Sequence, residues 1–309
     1  MKITGQAPTR ISLFGGSSDL PVFYEKYGGV VISMAINLRQ KIELNANPYV
    51  ERGIPKNADP NFYLTFLKEY SDLTHFIKAT TNAPIQSGLG SSASAACALV
   101  AALSKLNGEE LTKEEIAEKA WDICNNKLGL YSGKQDEYAA SFGGFNRITF
   151  TKERIFVHPY SKELGKWWSD RILLFFTGSV RKNTKIQEKF KKLSTGEHFS
   201  ISKIKMNADL AHFHILDKNI EAIAKLLQDS WKHKKMSNPL ITTPHIDYIY
   251  DKALENGVRA GKLLGSGGGG FMAFLVEPED QKNLIRELEK IEGVKHYPFK
   301  IDWEGVKCE

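Results

Sequence analysis

The run Pro84-Ile85-Gln86-Ser87-Gly88-Leu89-Gly90-Ser91-Ser92-Ala93-Ser94-Ala95 constrains this chain more than any other stretch. Its glycines let the backbone turn tightly and come close to whatever lies against it. Residues 91–106 then open on serine, continue rich in Ala and Leu, and stop at Asn107-Gly108, which predicts a helix with a defined start and end. The first turn of such a helix turns free N–H groups and the positive end of its dipole toward the glycine turn. Several amides and two or three hydroxyls thus converge on one spot. That chemistry suits a polyphosphate, and a serine hydroxyl there can also ligate a magnesium ion held between phosphates. A serine-capped helix after a glycine turn, with no ligand at all, would use the same residues.

Two dinucleotide-like patterns occur, GxGxxA at 88–93 and GxGxxG at 265–270. A dinucleotide fold needs a strand-turn-helix unit and an acidic residue about 20 positions on. After the first pattern Glu109-Glu110 fall between two predicted helices, and after the second comes a strand, so neither pattern fits. Residues 257–263 have the wrong spacing for a Walker-A loop, and the protein-kinase motifs are missing. Four consecutive glycines, Gly267–Gly270, cost much chain entropy, which argues for a ligand-facing reason over a plain strand-entry turn.

The rest of the chain reads as strands at 9–14, 30–34, 37–45, 76–81, 145–150 and 154–158, an exposed loop at 46–61, and helices at 62–73 and 112–127. Thr112-Lys113-Glu114-Glu115 forms a capping box at the second of these helices. A strand at 171–177 precedes a lysine-rich helical stretch from about 183 to 257. Strand 271–276, a helix from Pro278 to about 291 and a strand near 294–301 follow. Strands and helices, then helices, then strand-helix-strand make an α+β pattern without regular βαβ alternation, divided into residues 1–175 and 176–309. The 309 residues carry a net charge of +6 with no basic block, which suits a small anionic substrate and gives no reason to invoke nucleic acid. Three cysteines without CxxC or Cys/His spacing imply a reducing compartment, and no apolar run of spanning length or signal-peptide stretch is present, so no membrane partner and a cytoplasmic location are expected.

Three segments in order resemble the GHMP kinases: Ala7-Pro8-Thr9-Arg10-Ile11-Ser12-Leu13-Phe14-Gly15-Gly16-Ser17-Ser18-Asp19-Leu20-Pro21, the Pro84–Ala95 loop, and Lys262-Leu263-Leu264-Gly265-Ser266-Gly267-Gly268-Gly269-Gly270-Phe271. Gly133-Lys134-Gln135-Asp136-Glu137-Tyr138-Ala139-Ala140, Phe142-Gly143-Gly144-Phe145-Asn146 and Thr177-Gly178 with Arg181 point to the sugar 1-kinase branch. The resemblance implies a two-domain GHMP kinase fold, with an N-terminal domain like ribosomal protein S5 domain 2 and a ferredoxin-like C-terminal domain. It implies ATP and Mg2+ as cofactors, and a sugar or sugar phosphate as substrate, with the anomeric hydroxyl of D-glycero-D-manno-heptose 7-phosphate favoured. Another GHMP small-molecule kinase (fucose, galactose or mevalonate type) and a non-catalytic sugar and ATP sensor are the alternatives. A monomer and a homodimer are both compatible with it.

By the same resemblance, Ser87, Gly88, Leu89, Gly90, Ser91, Ser92 and Ala93 cradle the ATP phosphates, with Ser92 as the magnesium ligand. Asp136 is the catalytic aspartate that accepts or orients the sugar hydroxyl proton, and Arg10 is the catalytic arginine beside it. Ser17, Asp19, Gly144, Gly267, Gly268 and Gly269 contact the substrate. Arg181, with Lys182, is either a second anion site or a solvated loop. The run Lys232–Lys235 reads as a solvated helix face, and His158, His212 and His214 as structural or exposed. The chain departs from the pattern at Cys124, where relatives commonly place a metal-binding glutamate twelve residues before the aspartate. A thiol is a poor magnesium ligand, so Asp122 or Asn125 acts through water or the metal relies on Ser92 and the phosphates.

Overall fold

The structure is a computed structural model and describes residues 2–45, 59–70, 76–82, 84, 87–180 and 193–309. Most of the expected 46–61 loop, together with Arg181 and Lys182, lies outside these residues.

The first sheet is built on two long strands, β1 (Lys2–Phe14) and β2 (Gly29–Asn45), paired antiparallel over nearly their whole length. Gly5 and Pro8 are poor strand formers, and they hid the first half of β1 from the sequence reading. Gly5 is there because a Cβ would overlap the carbonyl of Ala98 on the overlying helix. Pro8 stands at a register shift between Pro8 and Thr9, the kind of irregular position where a strand tolerates proline. β2 is one strand, not two, because the C-terminal tail covers its middle: Asn37 N–H donates to the Lys300 carbonyl and Ile36 bridges Ile301. Its second half pairs with β3 (Phe76–Thr81) and its first half with β4 (Phe145–Phe150), which pairs with β5 (Ile155–Pro159).

Helices α1 (Pro21–Tyr27), α2 (Pro60–Glu69), α3 (Ser91–Leu106), α4 (Lys113–Asp122), α5 (Gln135–Phe142) and α6 (Lys162–Ser169) belong to this first half. α3 is buried from Ala93 to Ser104, as a helix apolar all round must be. Its alanines let it lie close on β1, and Ser94 Oγ donates to the Ala7 carbonyl at 2.7 Å. The predicted capping box at Thr112 and Glu115 forms, but the helix it opens gives way to a π-turn at Ile123–Lys127.

The second sheet consists of β6 (Ile172–Phe176), β7 (Ala260–Leu263), β8 (Phe271–Leu275) and β9 (Lys295–His296), all antiparallel in the order β7-β8-β6-β9. Helices α7 (Thr195–Leu216), α8 (Ile220–Ser237) and α9 (Pro244–Glu255) connect β6 to β7, and α10 (Gln281–Leu288) connects β8 to β9. Taken in chain order, these four strands stand second, third, first, fourth across the sheet, which is the ferredoxin-like arrangement. The expected division at 175/176 passes through β6, which belongs wholly to the second sheet. In addition, β10 (Lys307–Cys308) returns to pair with β1. Sheet membership is therefore not contiguous in sequence. One hydrophobic cluster, including Ile11, Phe14, Leu89, Leu264 and Phe271, runs through both halves and holds the ends of β1 and β7 together.

Candidate active site

Arg10 joins three segments. It is 4% exposed on β1. Its Nε donates to Asp136 Oδ1 at 2.6 Å and its Nη2 to Asp136 Oδ2 at 2.7 Å, a two-pronged ion pair, while Nη1 donates to the Gly88 carbonyl at 2.6 Å. Its backbone N–H donates to the Leu89 carbonyl at 2.9 Å. Asp136 sits in the first turn of α5 and keeps 27% of its side chain exposed, so its carboxylate can still be approached. At Gly90, with φ +74°, a Cβ would stand 3.1 Å from Asp136 Oδ2. The glycine turn thus opens directly onto the ion pair.

That turn presents unsatisfied donors. Gly90 is the N-cap of α3 and supplies no side-chain cap, so nothing from that position covers the helix's first amides. Ser87 Oγ and Ser91 Oγ are buried without a hydrogen-bond partner, and Ser92 is exposed beside them. Each orphaned hydroxyl costs about 1–3 kcal/mol unless a ligand satisfies it. A phosphate chain fits this donor set. Leu89 and Ala93 are buried, which leaves only their backbone to meet a ligand.

Asp19 lies in the turn after β1, 2% exposed. Its Oδ1 accepts from Ser17 N–H at 3.0 Å and Gln135 Nε2 at 2.8 Å, and its Oδ2 accepts from Gln135 N–H at 3.1 Å. Ser17 holds a left-handed φ of 75°, a strained state for serine. Burial, reinforced by the neighbouring Asp136 charge, pushes the Asp19 carboxyl up to about 6, against the opposing pull of the Gln135 N–H and Arg10.

The second glycine loop packs on the first. Phe271 N–H donates to the Ser87 carbonyl at 2.9 Å, and a Cβ on Gly88 would stand 2.7 Å from the Leu264 carbonyl. Gly267 and Gly269 face the Ile241 backbone and Ser179, so protein packing already accounts for their lack of a side chain. A Cβ on Gly268 would meet nothing nearer than the Leu240 carbonyl at 3.6 Å, so this glycine faces the more open space, while its N–H donates to the Ile241 carbonyl at 2.9 Å.

Several expected positions lie elsewhere. Gly144 is buried beyond the far end of α5 from Asp136, against Trp303, with its N–H donating to the Asp302 carbonyl at 2.6 Å. It follows the aspartate motif in sequence, but its surroundings are the C-terminal tail. Cys124 is buried in the apolar core under the π-turn, and burial pushes its thiol well up. Asp122 bonds Asn126 on the surface, and Asn125 accepts from Ser132 N–H. No cluster of three or more metal-ligating side chains occurs among the described residues. The three cysteines are free thiols, and no described helix is long and apolar enough to cross a membrane.

Four residues escaped the sequence reading. Gln135 links the site by accepting from Ser12 Oγ at 2.7 Å while donating to Asp19. Gly133 must lack a side chain, because a Cβ would overlap the Asp19 carboxylate. Lys262, 5% exposed, donates to the Leu13 carbonyl at 3.1 Å. Lys234 corrects the reading of residues 232–235 as a solvated face: its Nζ turns inward to the carbonyls of Leu263 at 3.0 Å and Gly265 at 2.6 Å. A lysine inside a buried strand was the available signal for Lys262. For Lys234 the run of neighbouring lysines masked it.

Residues 61–144 match the GHMP kinases N terminal domain and residues 208–294 match GHMP kinases C terminal. D-glycero-alpha-D-manno-heptose 7-phosphate kinase of Campylobacter jejuni is 30% identical over 99% of this chain and 98% of its own length. The chain belongs to the GHMP kinase family. This GHMP kinase is therefore an enzyme that transfers a phosphoryl group to a hydroxyl acceptor. The fold is shared with a D-glycero-D-manno-heptose 1-phosphate kinase of Bacteroides thetaiotaomicron (TM-score 0.77, 23% identity, 99% of this chain and 98% of that one). Mevalonate kinase of Pyrococcus furiosus is more distant, 27% identical over 100% of this chain and 99% of its own length.

Proposed function

We propose that this kinase transfers the terminal phosphoryl group of ATP to the anomeric hydroxyl of a heptose phosphate, D-glycero-D-manno-heptose 7-phosphate, in the cytoplasm. The observation that carries the reading is the Arg10–Asp136 pair opening, at Gly90, onto the uncapped N-terminus of α3. The full-length likeness to a heptose 7-phosphate kinase supports the choice of sugar.

The amides of Gly88–Ala93 and the free hydroxyls of Ser87 and Ser91 bind the phosphate chain. Ser92 is the side chain that would hold magnesium, which would supply charge neutralisation at the phosphates. Asp136 accepts the hydrogen bond of the sugar hydroxyl and aims its oxygen at the terminal phosphorus. Both of its oxygens already face Arg10, so it chiefly orients the hydroxyl, whose proton leaves late, to Asp136 or to an oxygen of the transferred phosphoryl group, as the O–P bond forms and the bond to ADP breaks. A loose phosphoryl-transfer transition state asks for little more. Arg10, tied to Gly88, keeps acceptor and donor loops in register. Asp19 and Ser17 bind a second sugar hydroxyl from below, and Gly268 lines the opening.

An ATP-consumption screen over heptose 7-phosphate, fucose, galactose, mannose and mevalonate, with NMR of the product, tests this. The reading expects a heptose 1,7-bisphosphate and a kcat/KM at least about a hundredfold above the other acceptors. Faster turnover of mevalonate or of an unphosphorylated sugar would refute the substrate. No turnover of any acceptor would favour a sensor.

A further inference from the structure

Beneath the joint of the two glycine loops lie three cationic side chains and one carboxylate. Arg10 holds the Gly88 carbonyl, and Gly88 touches Leu264 and Gly265 so closely that a Cβ on Gly265 would stand 2.6 Å from the Gly88 Cα. Lys234, from α8, holds the Gly265 and Leu263 carbonyls. Lys262, from β7, crosses to the Leu13 carbonyl at the end of β1. Asp136 pairs with Arg10, but no carboxylate among the described residues lies within ion-pair distance of either lysine. The two ammonium groups are thus desolvated and satisfied by carbonyl oxygens alone. Such an arrangement is costly unless a negative charge arrives.

We propose that Lys234 and Lys262 are positioning residues for phosphoryl transfer: they fix three carbonyls at the junction of the two loops and supply the positive charge that a nucleoside triphosphate meets there. The inference rests on the reading that these loops bind the phosphate chain.

The charged groups acting on the pair are Arg10 from β1, on both lysines, and Lys262, on Lys234; Arg10 is itself paired with Asp136 from α5. Burial, with Arg10 adding to it, pulls Lys262 down to about 7, and burial, Lys262 and Arg10 together pull Lys234 well below the usual lysine range. A bound polyphosphate opposes those causes and raises both, so nucleotide binding takes up protons from solution.

The test is titration of the wild-type protein with a non-hydrolysable ATP analogue and saturating magnesium, in two buffers of different ionisation enthalpy near pH 8. The expected result is uptake of about half a proton or more per nucleotide. No uptake overturns the proposal. Lys262→Met then raises the KM for ATP about tenfold near neutral pH, and its gap from the wild type narrows as pH rises well above about 7, where the free protein's Lys262 has lost its proton; Lys234→Met acts in the same direction. The same loss at every pH would mean scaffolding only and would also overturn it. If either variant fails to fold, the wild-type uptake still decides. Gly90→Val separates the underlying reading: wild-type nucleotide affinity in that variant sinks the loop assignment itself. Lost affinity there, with no uptake in the wild type, sinks the lysine proposal alone.

Discussion

The two sides of the site spend charge in opposite ways. On the first-sheet side, the β1 turn and α5 place Asp19, Asp136 and Glu137 close together. Glu137 is 2% exposed with one oxygen unpartnered, and burial beside Asp136 pushes its carboxyl well up. On the second-sheet side, α8 and β7 bring two lysines without an acid. Carboxylates at fixed geometry orient a hydroxyl acceptor, whereas uncompensated ammonium groups under glycine loops hold a phosphate donor. Arg10 touches both the Asp136 carboxylate and a glycine loop. On the proposed reading, the first half alone orients the acceptor, whereas the donor loop at the start of α3 also belongs to the first half and takes its two lysines from the second, the halves meeting at the joint of β1 and β7.

The sharpest way to break this comparison is Asp136→Asn. It should lower kcat about a thousandfold while the KM for ATP stays within about threefold. A comparable rise in the KM for ATP would mean that the acid side also holds the donor. Gly133→Ala comes next: the new methyl displaces the Asp19 carboxylate, and the KM for the sugar should rise about tenfold with that for ATP unchanged.

Asp19 refines the picture through pH. Because its folded value of about 6 lies above the unfolded one, its stabilising contribution is complete below the unfolded value and is lost as pH rises through about 6. Binding runs the other way, since the ionised form is the better acceptor for sugar hydroxyls. The KM for the sugar should therefore fall as pH rises through about 6, and Asp19→Asn should flatten that limb. A limb that survives in Asp19→Asn assigns it to another group. The smallest effect is a control: Thr112→Ala, at the cap of α4, should cost about 1 kcal/mol in denaturant unfolding and leave both KM values alone.

Much of this was legible in the residues because local chemistry dictated it. The helix at 91–106 follows from its composition and caps, and the α+β class follows from a helical stretch between strands, while the ferredoxin-like order of the second half rested on the family resemblance. The nearness of Arg10 to Asp136 came through family likeness, since nothing within either segment announces a contact between residues 126 positions apart. Other features depended on tertiary contact and stayed hidden. Gly5 and Pro8 weakened the strand signal because the overlying helix and a bulge require them. Lys234 and Lys262 looked like ordinary surface and strand residues until the two loops were brought together. Gly144 shows the converse, a motif glycine used by the C-terminal tail.

The most direct measurement is a crystal structure with a non-hydrolysable ATP analogue, magnesium and the sugar. This account predicts the phosphate chain on the amides of Gly88–Ala93, with a sugar hydroxyl bonded to Asp136 and its oxygen about 3–3.5 Å from the terminal phosphorus. A phosphate chain bound away from the start of α3, or a reacting hydroxyl out of reach of Asp136, would contradict it.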